Sequence, residues 1–297
     1  MARTALFLSP GAELAPAVAL ARRADALGYE SLWVTHGIGR DALQVLAAYG
    51  HVAPHAGLGS GVIPIYPRHP VLLAQEALTL SDVSGGRLRL GIGVSHKPMM
   101  ETALGLDMGR PLEVTREYMT VLRAALTGKV QHQGARYRVS WQSGLPRVPA
   151  APPILLGGLA PRMLELAGEI ADGVVLWLAA PAYVRERAVP AALTADRAAA
   201  GLLFRTELTR YLALPFYRAM LEQSGFGAEI AAYDRSPKPE AVPERLVAAL
   251  GGIGDFRTVS AFVDAYREAG VTLPAVRPIA FPDATHYEPT VEAGATA

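Results

Sequence analysis

Leu58-Gly59-Ser60-Gly61-Val62-Ile63-Pro64-Ile65-Tyr66-Pro67-Arg68-His69-Pro70 reads as a buried strand running straight into an irregular, proline-rich turn that opens a helix. A glycine inside such a strand points either to a strained backbone or to another molecule lying flat against the chain, and Gly61 is in that position. In barrels of βα units the chemistry sits at the C-terminal ends of the strands. This strand end therefore asks for a ligand.

Outward from it, apolar runs of strand length alternate with stretches of helical spacing. Strands are expected at residues 4–8, 31–35, 58–64, 87–93, 153–156, 173–178, 208–215 and 275–280. Helices are expected at residues 13–27 with Gly28 as the stop, after Asp41 as a cap, from about residue 71 to 83, and at 111–127, 161–171, 183–200 and 258–269. Eight strands with helices between them predict an α/β fold, the parallel (β/α)8 TIM barrel. Two stretches exceed what a crossover needs. Residues 129–151, after strand four, read as a surface hairpin and a proline-rich connector; residues 216–250, after strand seven, read as two extra helical pieces split by Ser236-Pro237-Lys238-Pro239. The expected organisation is a single domain over residues 1–282 and a flexible tail over residues 283–297, where apolar content is low.

The charge balance narrows the partners. The 28 basic and 27 acidic side chains nearly cancel, and no basic block with interleaved aromatics is present, so nucleic acid is not an expected partner. A small, neutral or modestly charged molecule fits better. The chain has no cysteine, which excludes a disulfide framework, a thiolate metal site and a catalytic thiol. Its apolar runs are broken by Gly or Pro before they reach bilayer length, and the N-terminal run is too short for a signal peptide. A soluble protein of the cytoplasm, with no membrane partner, is the expectation.

Candidate chemistry lies at the strand ends. Two of them carry histidine, the side chain suited to proton transfer near neutral pH: His36, next to Thr35, and His96, next to Ser95. They follow strands two apart and can serve one pocket. A lone loop histidine is more often structural, and only the shared address favours the pair. No HxH or HExxH spacing occurs, so a metal site is not expected. Gly157-Gly158 ends a strand ahead of Pro161-Arg162, an arrangement that offers backbone N–H groups and a helix N-terminus to phosphate; by itself a pair of glycines is more often a tight turn needing positive φ. Trp33 reads as core, while Trp177, at a strand end, can wall a planar ligand. Neither GxGxxG opening a βαβ unit nor GxxxxGK[ST] is present.

The chain resembles the bacterial luciferase-like flavin and deazaflavin oxidoreductases. The resemblance rests on Gly61-Val62 with Tyr66-Pro67-Arg68-His69-Pro70, on Leu80 to Pro98 read as LSDVSGGRLRLGIGVSHKP, and on Leu156-Gly157-Gly158-Leu159-Ala160-Pro161-Arg162-Met163-Leu164 with Ala171-Asp172-Gly173. It spans roughly residues 3–280, and the Arg-His-Pro context leans toward members that use coenzyme F420. It implies a cis peptide between Gly61 and Val62 behind the central cofactor ring, and a ring near Thr35, His36, Val62, Ile63 and His96, with Ser95 and Trp177 close by. The phosphate end falls at Gly157 and Gly158. The implied reaction is hydride transfer between C5 of F420 and a small organic substrate, a carbonyl, imine or activated alkene, with His36 or His96 handling the proton. The chain departs from the pattern in having His36-Gly37 where several deazaflavin relatives have an Asp-His pair, and His96 where they place an acid. A homodimer is implied, with the helix near residues 71–80 as a face. Two rivals remain: an FMN-dependent monooxygenase of the same fold, and a cofactor-poor binding or structural member.

Overall fold

A computed structural model describes residues 4–37, 39–178, 192–193, 197–251, 256–269, 271 and 273–278. Its elements, in order, are β1 (Ala5–Phe7), α1 (Ala15–Ala26), β2 (Ser31–Val34), α2 (Ala42–Val52), β3 (Gly57–Ser60), β4 (Ile63–Pro64), α3 (Pro70–Val83), β5 (Leu88–Gly93) and a π-helical turn (Pro98–Ala103). There follow α4 (Pro111–Leu126), β6 (Lys129–Gln133), β7 (Arg138–Gln142), β8 (Ile154–Gly157), α5 (Pro161–Ile170), β9 (Gly173–Val175), β10 (Ala192–Leu193) and α6 (Arg197–Leu212). The last are α7 (Pro215–Gln223), α8 (Gly227–Asp234), a short 3-10 turn (Pro239–Ala241), α9 (Glu244–Leu250), α10 (Phe256–Glu268) and β11 (Ala275–Pro278). The chain divides into two compact units, Trp33–Val175 and Met1–Leu32 with Leu176–Ala297.

In the Trp33–Val175 unit the strands β3, β4, β5, β8 and β9 are parallel. β5 pairs with β3 (Leu58↔Leu88), with β4 (Ile63↔Ile92) and with β8 (Leu90↔Ile154), and β8 pairs with β9 (Leu155↔Gly173). Sequence chemistry starts and stops the helices between them. Asp41 caps α2 by accepting the Leu43 and Gln44 N–H groups at 2.9 and 3.1 Å. His69 caps α3, its Nδ1 accepting the Val71 N–H at 3.3 Å, and Pro70 and Pro111 open α3 and α4 where no N–H is needed. The helix α4 buries Val114, Tyr118, Val121, Leu122 and Ala125, a stripe at helical spacing.

The Ser84-Gly85-Gly86-Arg87 motif is a structural joint. Gly85 and Gly86 have φ of 65° and 78°, which let the chain leave α3 by a left-handed turn closed by the Gly86 N–H on the Ser81 carbonyl at 2.7 Å. Arg87 then gathers carbonyls at the foot of β3 and β5, Ser84 at 2.7 Å, Ala53 at 2.9 Å and Gly50 at 3.3 Å, together with Ala56. Further along, β3 and β5 touch so closely that a Cβ on Gly91 would lie 1.9 Å from the Ser60 carbonyl oxygen. Ser60 Oγ bridges the seam, accepting the Gly91 N–H at 2.8 Å and donating to the Gly91 carbonyl at 2.9 Å.

The expected hairpin in residues 129–151 is present: β6 and β7 pair antiparallel, Lys129↔Gln142 to Gln133↔Arg138. It is tied to α4 by Glu117, whose carboxylate accepts the Tyr137 N–H at 2.7 Å and the Arg136 N–H at 3.1 Å and lies 3.2 Å from His132 Nε2.

In the other unit β11 runs parallel to β1 (Ala5↔Ala275) and to β10 (Ala192↔Arg277). Three expectations are corrected here. Residues 208–215 are not a strand, because Leu208 and Leu212 continue a helical stripe from Phe204 in α6, all three being buried. Within residues 183–200, expected as helix, Ala192–Leu193 is a strand and residues 197–200 belong to α6; residues 183–191 and 194–196 lie outside the described part. The stretch 216–250 forms three α-helices rather than two. The tail at 283–297 lies outside the described residues. Among the described residues no helix is long and apolar enough to cross a membrane.

Candidate active site

The expected cis peptide between Gly61 and Val62 is present, in the link between β3 and β4. Around it the strand ends of the Trp33–Val175 unit are laced by hydrogen bonds. The Gly61 N–H donates to the Val34 carbonyl at 2.9 Å, Thr35 Oγ1 donates to the Gly61 carbonyl at 2.5 Å, and the His36 N–H donates to the Val62 carbonyl at 3.4 Å. Val62 turns its methyls toward two other strand ends: a Cβ on Gly93 or on Gly157 would meet them at 2.9 or 2.8 Å. The glycines at the ends of β5 and β8 thus make room for the Val62 side chain. Ile63 is fully buried in β4, part of the core beneath.

Thr35, His36, Gly61, Val62 and Gly157 are therefore brought together. Ser95 and His96 follow two and three residues after Gly93, where β5 ends. Ser95 has a φ of 59°, the left-handed region that non-glycine residues rarely enter, and this re-aims the chain at His96. The His96 carbonyl accepts the Met100 N–H at 3.0 Å and so anchors the π-helical turn. Gly158 departs from expectation: its N–H is not bare but donates to the Val175 carbonyl at 3.4 Å, the parallel ladder extending one residue past β8. What this end still offers an anion is the start of α5, which has no side-chain cap, no acid in its first turn, and an exposed Arg162. Trp177 belongs to the other unit, half-buried, its ring 5.2 Å from Phe7 and 6.5 Å from Tyr211.

Both histidines are held toward the neutral form. Burial lowers the pKa of His96. For His36 burial is again the largest cause, the Arg68 guanidinium adds to it, and the Asp41 carboxylate opposes. The His36 ring is also oriented. The Ala42 N–H at the start of α2 donates to Nδ1 at 3.3 Å, which assigns the neutral tautomer its proton on Nε2. Asp41 Oδ2 lies 3.7 Å from the same Nδ1 but is engaged by Arg68 Nη2, while Arg68 Nε reaches Glu76 Oε2 at 3.2 Å. The sequence names Asp41 only as a cap and Arg68 only within a motif. Their pairing across 27 positions, and the Ser60–Gly91 bridge, are tertiary facts with no local signal.

Behind His69 the site loop is braced by aromatics. Tyr66 Oη donates to the Met108 carbonyl at 3.0 Å, and Arg136 stacks 5.3 Å over the Tyr66 ring. Burial, against the pull of Arg136, pushes the Tyr66 hydroxyl up to about 12, so it stays a donor. Among the described residues no group of three or more His, Asp or Glu side chains is arranged to hold a metal ion.

These strand ends define a class. The family model described as luciferase-like monooxygenase matches residues 1–273, and the chain belongs to that family. It is 31% identical over 165 residues to the 5,10-methylenetetrahydromethanopterin reductase of Methanolobus tindarius, covering 52% of this chain and 48% of that one. The chain spans about half the length of the curated relatives it matches. Its fold is that of the coenzyme F420-dependent tetrahydromethanopterin reductase of Methanopyrus kandleri, with a TM-score of 0.78 at 20% identity, covering 99% of this chain and 97% of the other. The oxygenating constituent of 3,6-diketocamphane monooxygenase of Pseudomonas putida, solved with FMN, superposes with a TM-score of 0.71 at 18% identity over 99% and 96% of the chains. The fold is thus the luciferase-like TIM barrel expected from the sequence.

Proposed function

We propose that this protein is an oxidoreductase that uses coenzyme F420 to oxidise or reduce a small organic substrate at a carbonyl, imine or activated alkene carbon. The observation that carries the reading is the oriented, neutral His36 beside Thr35 and the Val62 carbonyl, at a strand end where the Asp41 carboxylate is engaged by Arg68. Such a set suits an electron-rich ring: the Ala42 N–H on Nδ1 leaves the proton of the neutral imidazole on Nε2 as a donor, and Asp41 is held by Arg68. The uncapped start of α5 with Arg162 suits the phosphate end. When bound, F420 supplies the hydride donor or acceptor at C5.

The chain's own residues do the rest. Thr35 and Ser95 line the strand ends, and His36 donates a hydrogen bond from Nε2 to the substrate oxygen. Its Nδ1 lone pair already receives the Ala42 N–H, so His36 polarises rather than shuttles a proton. His96, held neutral by burial, exchanges the proton. In the oxidation direction it accepts the proton of a substrate hydroxyl as hydride leaves the carbon; in reduction the protonated ring returns it to the new alkoxide.

The resemblance of the fold to an FMN-bound monooxygenase favours a second reading, a flavin-dependent oxygenase. Fluorescence titration of the purified protein with F420 and with FMN separates them. Saturable binding of F420 with much weaker binding of FMN is expected; tight FMN binding without F420 binding overturns the first reading, and binding of neither points to a cofactor-poor member of the fold.

A further inference from the structure

We propose that Arg68 is a positioning residue for His36: by engaging Asp41 it withholds that carboxylate from Nδ1, so that the ring keeps the Ala42 N–H as its Nδ1 partner and presents Nε2–H outward. The inference rests on the functional reading above for its consequence, but its geometry stands alone.

Asp41 has two demands on it. As the cap of α2 it accepts two backbone N–H groups through Oδ1, at 2.9 Å from Leu43 and 3.1 Å from Gln44. Its other oxygen, Oδ2, lies between Arg68 Nη2 and, at 3.7 Å, His36 Nδ1. An acid beside an imidazole normally draws a proton onto the facing nitrogen, which here would make His36 a cation with Nδ1–H pointing at Asp41. That state forfeits the Ala42 N–H as a donor, because two donors cannot face each other. Arg68 tips the choice. Its side chain is 15% exposed, and the same guanidinium that meets Asp41 through Nη2 meets Glu76 through Nε, so it is a clamp between α2 and α3 rather than a solvated charge. Among the described residues, the charged groups acting on His36 are Arg68 and Asp41, with Glu76 behind Arg68; they sit on the segment leading into α2, the loop before α3, and α3 itself.

A lysine at position 68 keeps the charge but loses the fork that holds both acids. A methionine keeps the length and loses both contacts. The two partners of His36 act in opposite directions, so their removal does too: Arg68→Met frees Asp41 to stabilise the cation, whereas Asp41→Asn keeps the helix cap and removes the attraction.

The test is an NMR titration of the His36 imidazole in protein carrying 13C at histidine Cε1, assigned by loss of the resonance in His36→Asn, together with kcat and KM in the presence of F420. We expect the His36 pKa to move up in Arg68→Met, up by less in Arg68→Lys and down in Asp41→Asn, and kcat to fall about tenfold in Arg68→Met with KM little changed. Unmoved titrations, or shifts of the same sign in Arg68→Lys and Asp41→Asn, overturn the proposal even if Arg68→Met fails to fold. Opposite shifts in a protein that does not bind F420 leave the clamp standing and overturn the functional reading; F420 binding with an unmoved His36 does the reverse.

Discussion

The two histidine-bearing strand ends of the Trp33–Val175 unit reach the same protonation state by different means. At the end of β2, His36 sits in a polar lattice of helix N–H, capping carboxylate and clamped guanidinium, which sets both its charge and which nitrogen carries the proton. At the end of β5, His96 follows a left-handed Ser95 and anchors a π-helical turn through its carbonyl, and burial lowers its pKa toward the neutral form. A lattice fixes a direction for a hydrogen bond. Burial fixes only a charge state and leaves the ring suited to taking and returning a proton. That difference is the basis for assigning the two rings separate tasks.

The comparison can be broken most severely from below, at the seam both ends stand on. Gly91→Ala would force a methyl to 1.9 Å from the Ser60 carbonyl, and we expect destabilisation of about 3 kcal/mol or more in a denaturant melt, with both sites lost together. The next largest effect separates the ends. His96→Asn should cost about a hundredfold or more in kcat and, assayed in the oxidation direction, remove the acidic limb of the pH–rate profile. His36→Asn should cost nearer tenfold and leave that limb, since an amide still donates a hydrogen bond. Equal losses with equal loss of the pH limb would erase the distinction between lattice and burial.

A smaller effect sharpens it in the folded state. Both histidines have pKa values lowered from about 6.5, so below that pH the unfolded chain binds more protons than the folded one. Stability is therefore fully present above about pH 6.5 and declines as pH falls through that value toward the folded pKa values. His36→Asn and His96→Asn should each flatten the decline measured by urea melts at several pH values; a decline unchanged in both variants would place its origin elsewhere. Smallest of all, Tyr66→Phe removes one hydrogen bond to Met108 and should cost about 1 kcal/mol without altering either pH response.

Much of this was legible in the chain. The alternation of apolar runs located β1 to β3, β5, β8, β9 and β11, and the Ser-Gly-Gly-Arg joint and the Gly61–Val62 position were readable because their causes are local or motif-borne. Residues 208–215 were not, because alternating and helical spacings coincide in a short apolar run until the position of its neighbour Phe204 is known. Whether the Gly158 N–H is bare was not legible for a related reason: it depends on the next strand, and Val175 takes it. The role of Gly93 and Gly157 as room for Val62, and of Arg68 as the clamp on Asp41, exist only once strands far apart in sequence lie side by side.

The central claim, that the strand ends bearing His36 and His96 form the F420 site, is tested most directly by adding F420 to protein labelled with 13C at histidine Cε1. The resonances of His36 and His96 should shift together and saturate with a single dissociation constant, while those of His51, His55 and His132 stay in place. Saturable F420 binding that leaves His36 and His96 unmoved would contradict the account.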